Sequence, residues 1–353
     1  MKRNTVNPKK LVKITFCLLL TAAAVCFAGS VSYVFAEESR LASTITSQTT
    51  FASRSAHPSE PIRPIPLQLT IDAPKAELGQ QLFTDRRLEK NGKIACADCH
   101  KLHEGGANTK RMTQSLNNPE NQHNTPTIFN VIFNKNYYWS ARFTSLNTQL
   151  DDAIKELGVS WEQLIDKLRR TPKYVSLFDS VFPASGITVS NVKQAIIAYE
   201  HSLTTPNSRF DKYLRGDLQA LNNNEKKGYE LFKSYGCSAC HQGINVGGNL
   251  AISKGELYGQ KQIFSAGNIP AGYNRLSLSV RGNTKIRVPS LRNVAVTAPY
   301  FHDGSADTLE QAVADMAGTM AYTQLGIRIP SKDIELIVAF LRTLTGEYNG
   351  KAL

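Results

Sequence analysis

At 353 residues the chain is long enough for two domains, each burying its own core. Its 41% hydrophobic and 20% charged residues are the mix of a globular protein and exclude a disordered or fibrous one. The first 36 residues hold five basic and no acidic side chains, so the net charge of +12 falls to +7 for the remaining body. That moderate excess fits a solvated basic face or the docking of an acidic protein, and no nucleic-acid-binding motif is present.

In chain order, Lys2, Arg3, Lys9, Lys10 and Lys13 form a basic start before an apolar run from Ile14 to Ala28. Val34-Phe35-Ala36 offers a cleavage point before Glu37, so residues 1–36 read as an export signal. Read on to Ala36, the run nearly spans a bilayer, and a retained membrane anchor is the alternative. Either reading puts the body outside the cytoplasm, in the periplasm. Residues 37–70, rich in Ser, Thr and Pro up to about 65, form a flexible linker. Helical patterning starts at Ile71 and includes Ala76–Phe83. The polar stretch from Gly105 to Gln122 is a long loop. Helices follow at Trp161–Leu168, Val192–Leu203 and Glu225–Tyr235, with Thr205-Pro206-Asn207 as the boundary between domains 71–205 and 206–353. Asp307-Thr308-Leu309-Glu310 resembles a capping box opening a helix through Met316. Ser331–Leu344 is a last amphipathic helix, with Ser331 as N-cap and Gly346 past its end.

Two pentapeptides carry the chemistry: Cys96-Ala97-Asp98-Cys99-His100 and Cys237-Ser238-Ala239-Cys240-His241. Cys-x-x-Cys-His is the attachment signature of haem c: the thiols add across the vinyl groups, and the histidine ligates iron from one face. Zinc is the competing use of two Cys-x-x-Cys pairs. It gives no reason for a histidine after each second cysteine, nor for motifs so far apart in sequence. The other cysteines, Cys17 and Cys26, lie in the apolar N-terminal run, which leaves none for a disulfide in the body. With sparse strand signals, the chain reads as mainly α: two cytochrome c-like haem domains with long loops, related as an internal repeat.

A thioether opposite histidine stabilises Fe(II) and suits electron transfer. The chain has only four methionines, Met1, Met112, Met316 and Met320; the last two follow the second motif at the distance expected of a ligand.

The chain resembles the bacterial di-haem cytochrome c peroxidase family, which includes MauG-like enzymes. The likeness runs from about Leu78 to Gly346. It is carried by Asn124-Thr125-Pro126-Thr127-Ile128-Phe129-Asn130, by Gly236–His241 with Gly243-Ile244-Asn245, by Val288–Ala295 and by Thr297–Gly304. It implies a peroxide-reactive N-terminal haem on His100, fed with electrons by a C-terminal haem on His241 and Met316. Met316 is preferred over Met320, and a methionine here speaks for the peroxidase branch, since MauG-type enzymes carry tyrosine. The likeness places Trp139 between the haems as an electron relay. It also places a calcium ion on the Asn124 side chain and the carbonyls of Thr297 and Pro299. His302 falls beside the C-terminal haem.

Splitting peroxide also requires a group that shuttles a proton between the two oxygens. The resemblance assigns this to Glu156, with Gln149 orienting the peroxide; Asp151 and Asp152 are the alternatives. Glu156 aligns only with a deletion of about three residues, whereas Gln149 aligns directly. One position departs from the family. The histidine that blocks the N-terminal iron until reductive activation is replaced by Leu116, which cannot ligate, so that haem is expected to be open already when ferric. His103 and His123 do not align with the missing ligand. The expected reaction is reduction of hydrogen peroxide to water with electrons from a small donor, a cytochrome c or a cupredoxin. The alternatives are oxidative modification of a partner protein, as in MauG, and plain electron carriage. Family members are often homodimers; no interface is legible in the sequence.

Overall fold

The computed structural model describes residues 59–114, 122–253, 285–322 and 326–353; the N-terminal signal or anchor and Leu116 lie outside them. The first half starts with α1 (Ala73–Thr84), where Asp72 accepts the Lys75 amide and Pro74 sits in the first turn. One turn of helix, α2 (Cys96–Cys99), holds the first haem motif. Then come α3 (Leu146–Glu156), α4 (Trp161–Arg169), α5 (Pro172–Val181) and α6 (Val189–Ser202). Ser145, Ser160 and Thr188 cap α3, α4 and α6. The apolar faces of α1 and α3–α6 meet in one core that includes Leu78, Leu82, Leu164, Phe178, Val192 and Ile196.

The second half contains α7 (Arg209–Leu214), α8 (Asn223–Ser234), α9 (Leu309–Tyr322) and α10 (Ser331–Arg342). Phe210, Tyr229, Phe232 and Phe340 form its aromatic centre, with ring centroids 4.7–5.2 Å apart. Two helix starts differ from expectation by one residue. Thr308, rather than Asp307, accepts the Gln311 amide and opens α9, which runs past Met316 to Tyr322. Pro330 is the N-cap of α10 and Ser331 its first residue, because proline's fixed φ suits the entry and its missing N–H costs nothing there. The strands among the described residues are short antiparallel pairs: Thr113–Gln114 with Gln122–His123, Ala251–Ser253 with Lys285–Arg287, and Glu347–Tyr348 with Lys351–Ala352. No helix among the described residues is long and apolar enough to cross a membrane.

The two halves repeat one construction. Gly79 of α1 lies against α6 so closely that a Cβ would sit 1.9 Å from the Ala195 carbonyl oxygen; Gly228 of α8 meets the Leu336 carbonyl of α10 at the same 1.9 Å. Only glycine allows either helix pair to cross at that distance. After each haem motif comes a proline-containing segment, Thr125–Asn130 and Val288–Asn293, ending in an asparagine at φ 61° or 60° and a single 3₁₀ turn. Both asparagines tolerate the left-handed region. Their amides converge on Thr205, whose Oγ1 accepts from Asn130 Nδ2 at 2.7 Å and from Asn293 Nδ2 at 2.9 Å. Thr205 is 1% exposed, so the residue that joins the halves is itself locked into both.

The linker read over residues 37–70 ends earlier than the sequence suggested. Ile62 and Ile65 are completely buried, and Ile62 belongs to the core of the second half. Gly243 donates to the Pro61 carbonyl at 2.8 Å and Arg63 donates to the Gly243 carbonyl at 3.3 Å. Buried Arg292 reaches the Arg63 carbonyl, the Ile244 carbonyl and Asp211, the last at 2.8 Å. Proline and serine content signalled a loose chain, but the two isoleucines supply an apolar anchor that composition alone concealed.

Candidate functional site: two haem-attachment turns and a shared cavity

Each Cys-x-x-Cys-His segment forms one tight turn that closes on its own histidine: the His100 amide donates to the Cys96 carbonyl and the His241 amide to the Cys237 carbonyl, both at 2.9 Å. In the second motif both thiols and the imidazole line one cavity. The four cysteines are unpaired and partly exposed. Phe83 backs His100 with ring centroids 6.3 Å apart, and Phe232 backs His241 at 6.4 Å, a further element of the repeat. Both Nδ1 atoms are enclosed and lack a hydrogen bond of normal geometry. Desolvation lowers both imidazole pKa values, that of His241 to about 4, while the backbone at Pro126 and Pro289 acts in the opposite direction. A neutral imidazole is the form that ligates metal.

A cavity of about 1010 Å³ opens in front of His241. Its walls include Cys237, Cys240, His241, Met316, Trp139 and Arg287. Two thiols, an imidazole and a thioether thus surround one largely apolar space, the donor set and surroundings that haem c requires. Met320 lines the same cavity, so both candidate methionines are brought to it. Asn124, Thr297 and Pro299 line it as well. Asn124 Nδ2 donates to the Lys110 carbonyl at 3.2 Å, an arrangement that turns Oδ1 away from that carbonyl as an oxygen donor.

Trp139 is held from three directions. Its Nε1 donates to the Asn124 carbonyl at 2.8 Å, the His302 ring lies 6.4 Å from it, and the Arg287 guanidinium sits 5.6 Å from its centroid. His302 is buried, and its carbonyl accepts the Asn124 amide at 2.8 Å.

Gln149 and Glu156 both lie on α3, seven residues apart, which is two turns and therefore one helical face. Both are half-buried. The pKa of His123 is lowered by desolvation and by the charge of Arg142, with the Glu156 carboxylate acting in the opposite sense. This face also carries Asp152, which pairs with Arg142, whose guanidinium stacks over Tyr138 at 4.5 Å. Asp151 is paired with Lys193 at 2.6 Å and accepts the Trp161 indole at 2.7 Å. Both alternative carboxylates are therefore engaged in structural pairs. His103 is on the surface beside Glu104, and His201 is half-buried on α6.

Several buried ionisable residues went unremarked in the sequence, Arg292, Arg287 and Glu200 among them. Arg292 and Arg287 are 1% and 5% exposed, and Glu200 is 4% exposed with an unpartnered Oε2. Arg292 lies inside a segment already singled out, and Arg287 immediately precedes it. Glu200 falls within the predicted helix Val192–Leu203, between Ile196 and Leu203, where a carboxylate interrupts an apolar face. That interruption was the available signal.

Residues 73–219 match the family model described as di-haem cytochrome c peroxidase. The cytochrome c peroxidase Ccp of Escherichia coli is 40% identical over 83% of this chain, which spans 62% of the length of that relative. The cytochrome c551 peroxidase of Nitrosomonas europaea is 39% identical, with 82% of this chain and 85% of the relative covered. Among solved structures, a MauG-like protein associated with microbial copper homeostasis superposes with a TM-score of 0.64 at 24% identity, covering 83% of this chain and 95% of that one. That likeness concerns the fold. The sequence relatives, at higher identity and across most of the chain, carry the assignment: the chain belongs to the di-haem cytochrome c peroxidase family of haem-dependent oxidoreductases.

Proposed function

We propose that this chain reduces hydrogen peroxide to two waters with two protons and two electrons taken from a small redox protein, a cytochrome c or a cupredoxin. The observation that carries the reading is an asymmetry: His241 shares its cavity with the Met316 thioether, whereas the sequence offers the His100 side only Leu116 where a blocking ligand would stand. When bound, one haem supplies an iron with a free coordination position for peroxide and the other a one-electron relay.

The chain's own residues divide the remaining work. Residues 71–205 and 206–353 act as the peroxidatic and electron-transfer domains, with Cys96, Cys99 and His100 holding the first haem and Cys237, Cys240, His241 and Met316 the second. Glu156 takes a proton from the near oxygen of peroxide and returns one to the departing oxygen, and Gln149 fixes the peroxide by hydrogen bonding. Their position on one half-buried face supports this division. Trp139 lies in the cavity wall as the bridge between the centres. Asn124, Thr297 and Pro299 hold calcium, a cation that favours oxygen donors. The body's charge of +7 suits an acidic donor, and the basic, apolar N-terminus suits export to the periplasm.

The test is stoichiometric. Protein carrying two covalent haems should oxidise two equivalents of a reduced monohaem cytochrome per peroxide consumed. Peroxide consumption that depends on a protein substrate instead, with no cytochrome oxidised, would replace this reading by oxidative modification.

A further inference from the structure

Arg287 is a buried charge that the proposed reaction leaves without a role. It ends the short strand Lys285–Arg287 and is 5% exposed. Its Nε donates to the Tyr138 carbonyl at 3.1 Å, its backbone N–H donates to the Trp139 carbonyl at 2.8 Å, and its guanidinium stands 5.6 Å from the Trp139 ring centroid. Among the described residues no carboxylate pairs with it. Desolvation pushes its pKa down to about 10, so it remains charged at neutral pH. A buried guanidinium without an anion costs several kcal/mol. Yet this one lines the cavity shared by Cys237, Cys240, His241 and Met316.

Haem carries two propionate carboxylates, and the planar guanidinium fork is the side chain best matched to a carboxylate. We propose that Arg287 is the propionate-binding residue of the C-terminal haem and that, by stacking on Trp139 while holding that carboxylate, it couples the haem edge to the inter-domain tryptophan. The inference rests on the haem reading above. It makes Arg287 a positioning residue with two effects. Its positive charge favours the ferrous state of the nearby haem and so raises that haem's potential. The same charge disfavours electron loss from the Trp139 ring, so Trp139 passes electrons without storing an oxidising equivalent. Of the titratable groups around it, Tyr137, pushed up to about 12 by burial, stays neutral, and the His302 ring packs against the Trp139 ring at 6.4 Å.

The experiment uses the full, haem-loaded protein and its Arg287→Gln variant. Haem content is counted first, and the midpoint potential of each haem is then titrated optically between pH 5 and pH 8. Arg287→Gln should retain both haems while the C-terminal potential shifts downward and acquires a slope with pH, because the released propionate now titrates. The wild type should be flat over the same range, a measurement that needs no variant to fold. An unchanged C-terminal potential in Arg287→Gln, a shift confined to the N-terminal haem, or a wild-type slope approaching one proton per electron would each overturn the proposal. A wild-type protein without haem would instead defeat the underlying haem reading.

Discussion

The indole N–H of Trp139 points to the carbonyl of Asn124 at 2.8 Å, and the Asn124 amide in turn donates to the carbonyl of His302. One residue therefore joins the proposed calcium site, Trp139 and the wall of the cavity in front of His241. Replacing Trp139 with phenylalanine keeps an aromatic ring but leaves the Asn124 carbonyl without this donor. We expect kcat to fall roughly tenfold, about 1.4 kcal/mol on the barrier, with haem content unchanged. Steady-state turnover with a reduced cytochrome, alongside calcium titration, checks this. Equal turnover would remove Trp139 from the electron path.

Glu156→Gln preserves size and removes the proton-carrying oxygen. General acid–base groups contribute about 10²- to 10⁴-fold, so kcat/KM for peroxide should drop by at least about 100-fold while the optical spectra of both haems stay as in the wild type. Asp151→Asn should have little effect on that constant, because Asp151 is engaged with Lys193 and Trp161. The reverse ranking would transfer the proton-carrying role from Glu156 to Asp151.

Much of this arrangement was legible in the sequence because the residues involved are adjacent in the chain. The two pentapeptides specify their own turns, and the helices that precede and follow them show ordinary apolar periodicity. That Met316 and Met320 line the cavity of His241 could be anticipated, because they follow the second motif and so few methionines exist. What the sequence concealed depends on residues far apart. Nothing local says that Ile62 enters the core of the second half, or that Gly228 allows α8 to press on α10. The left-handed asparagines Asn130 and Asn293 look like ordinary polar residues until their shared partner Thr205 is seen. Arg287 reads as one more basic residue because its burial is produced by Tyr138 and Trp139, almost 150 positions earlier.

Glu200 provides a pH test. Desolvation raises its carboxyl to about 8 in the folded protein, against an ordinary value of 4.5. A raised carboxyl favours the folded state most when protonated, so this contribution is fully present below pH 4.5 and is lost as the pH rises through 8. Glu200→Gln cannot ionise and should be more resistant to urea than the wild type at pH 8.5, with the difference shrinking toward pH 5. Parallel stability profiles for the two proteins would mean that Glu200 is not titrating in this window.

The central claim is that the two iron centres differ, one sealed by Met316 and the other open to peroxide. An electron paramagnetic resonance spectrum of the fully oxidised, two-haem protein tests it most directly. A high-spin ferric signal from the His100 haem is expected beside a low-spin signal from the His241–Met316 haem, before any reductant is added. A spectrum containing low-spin haem alone would contradict it.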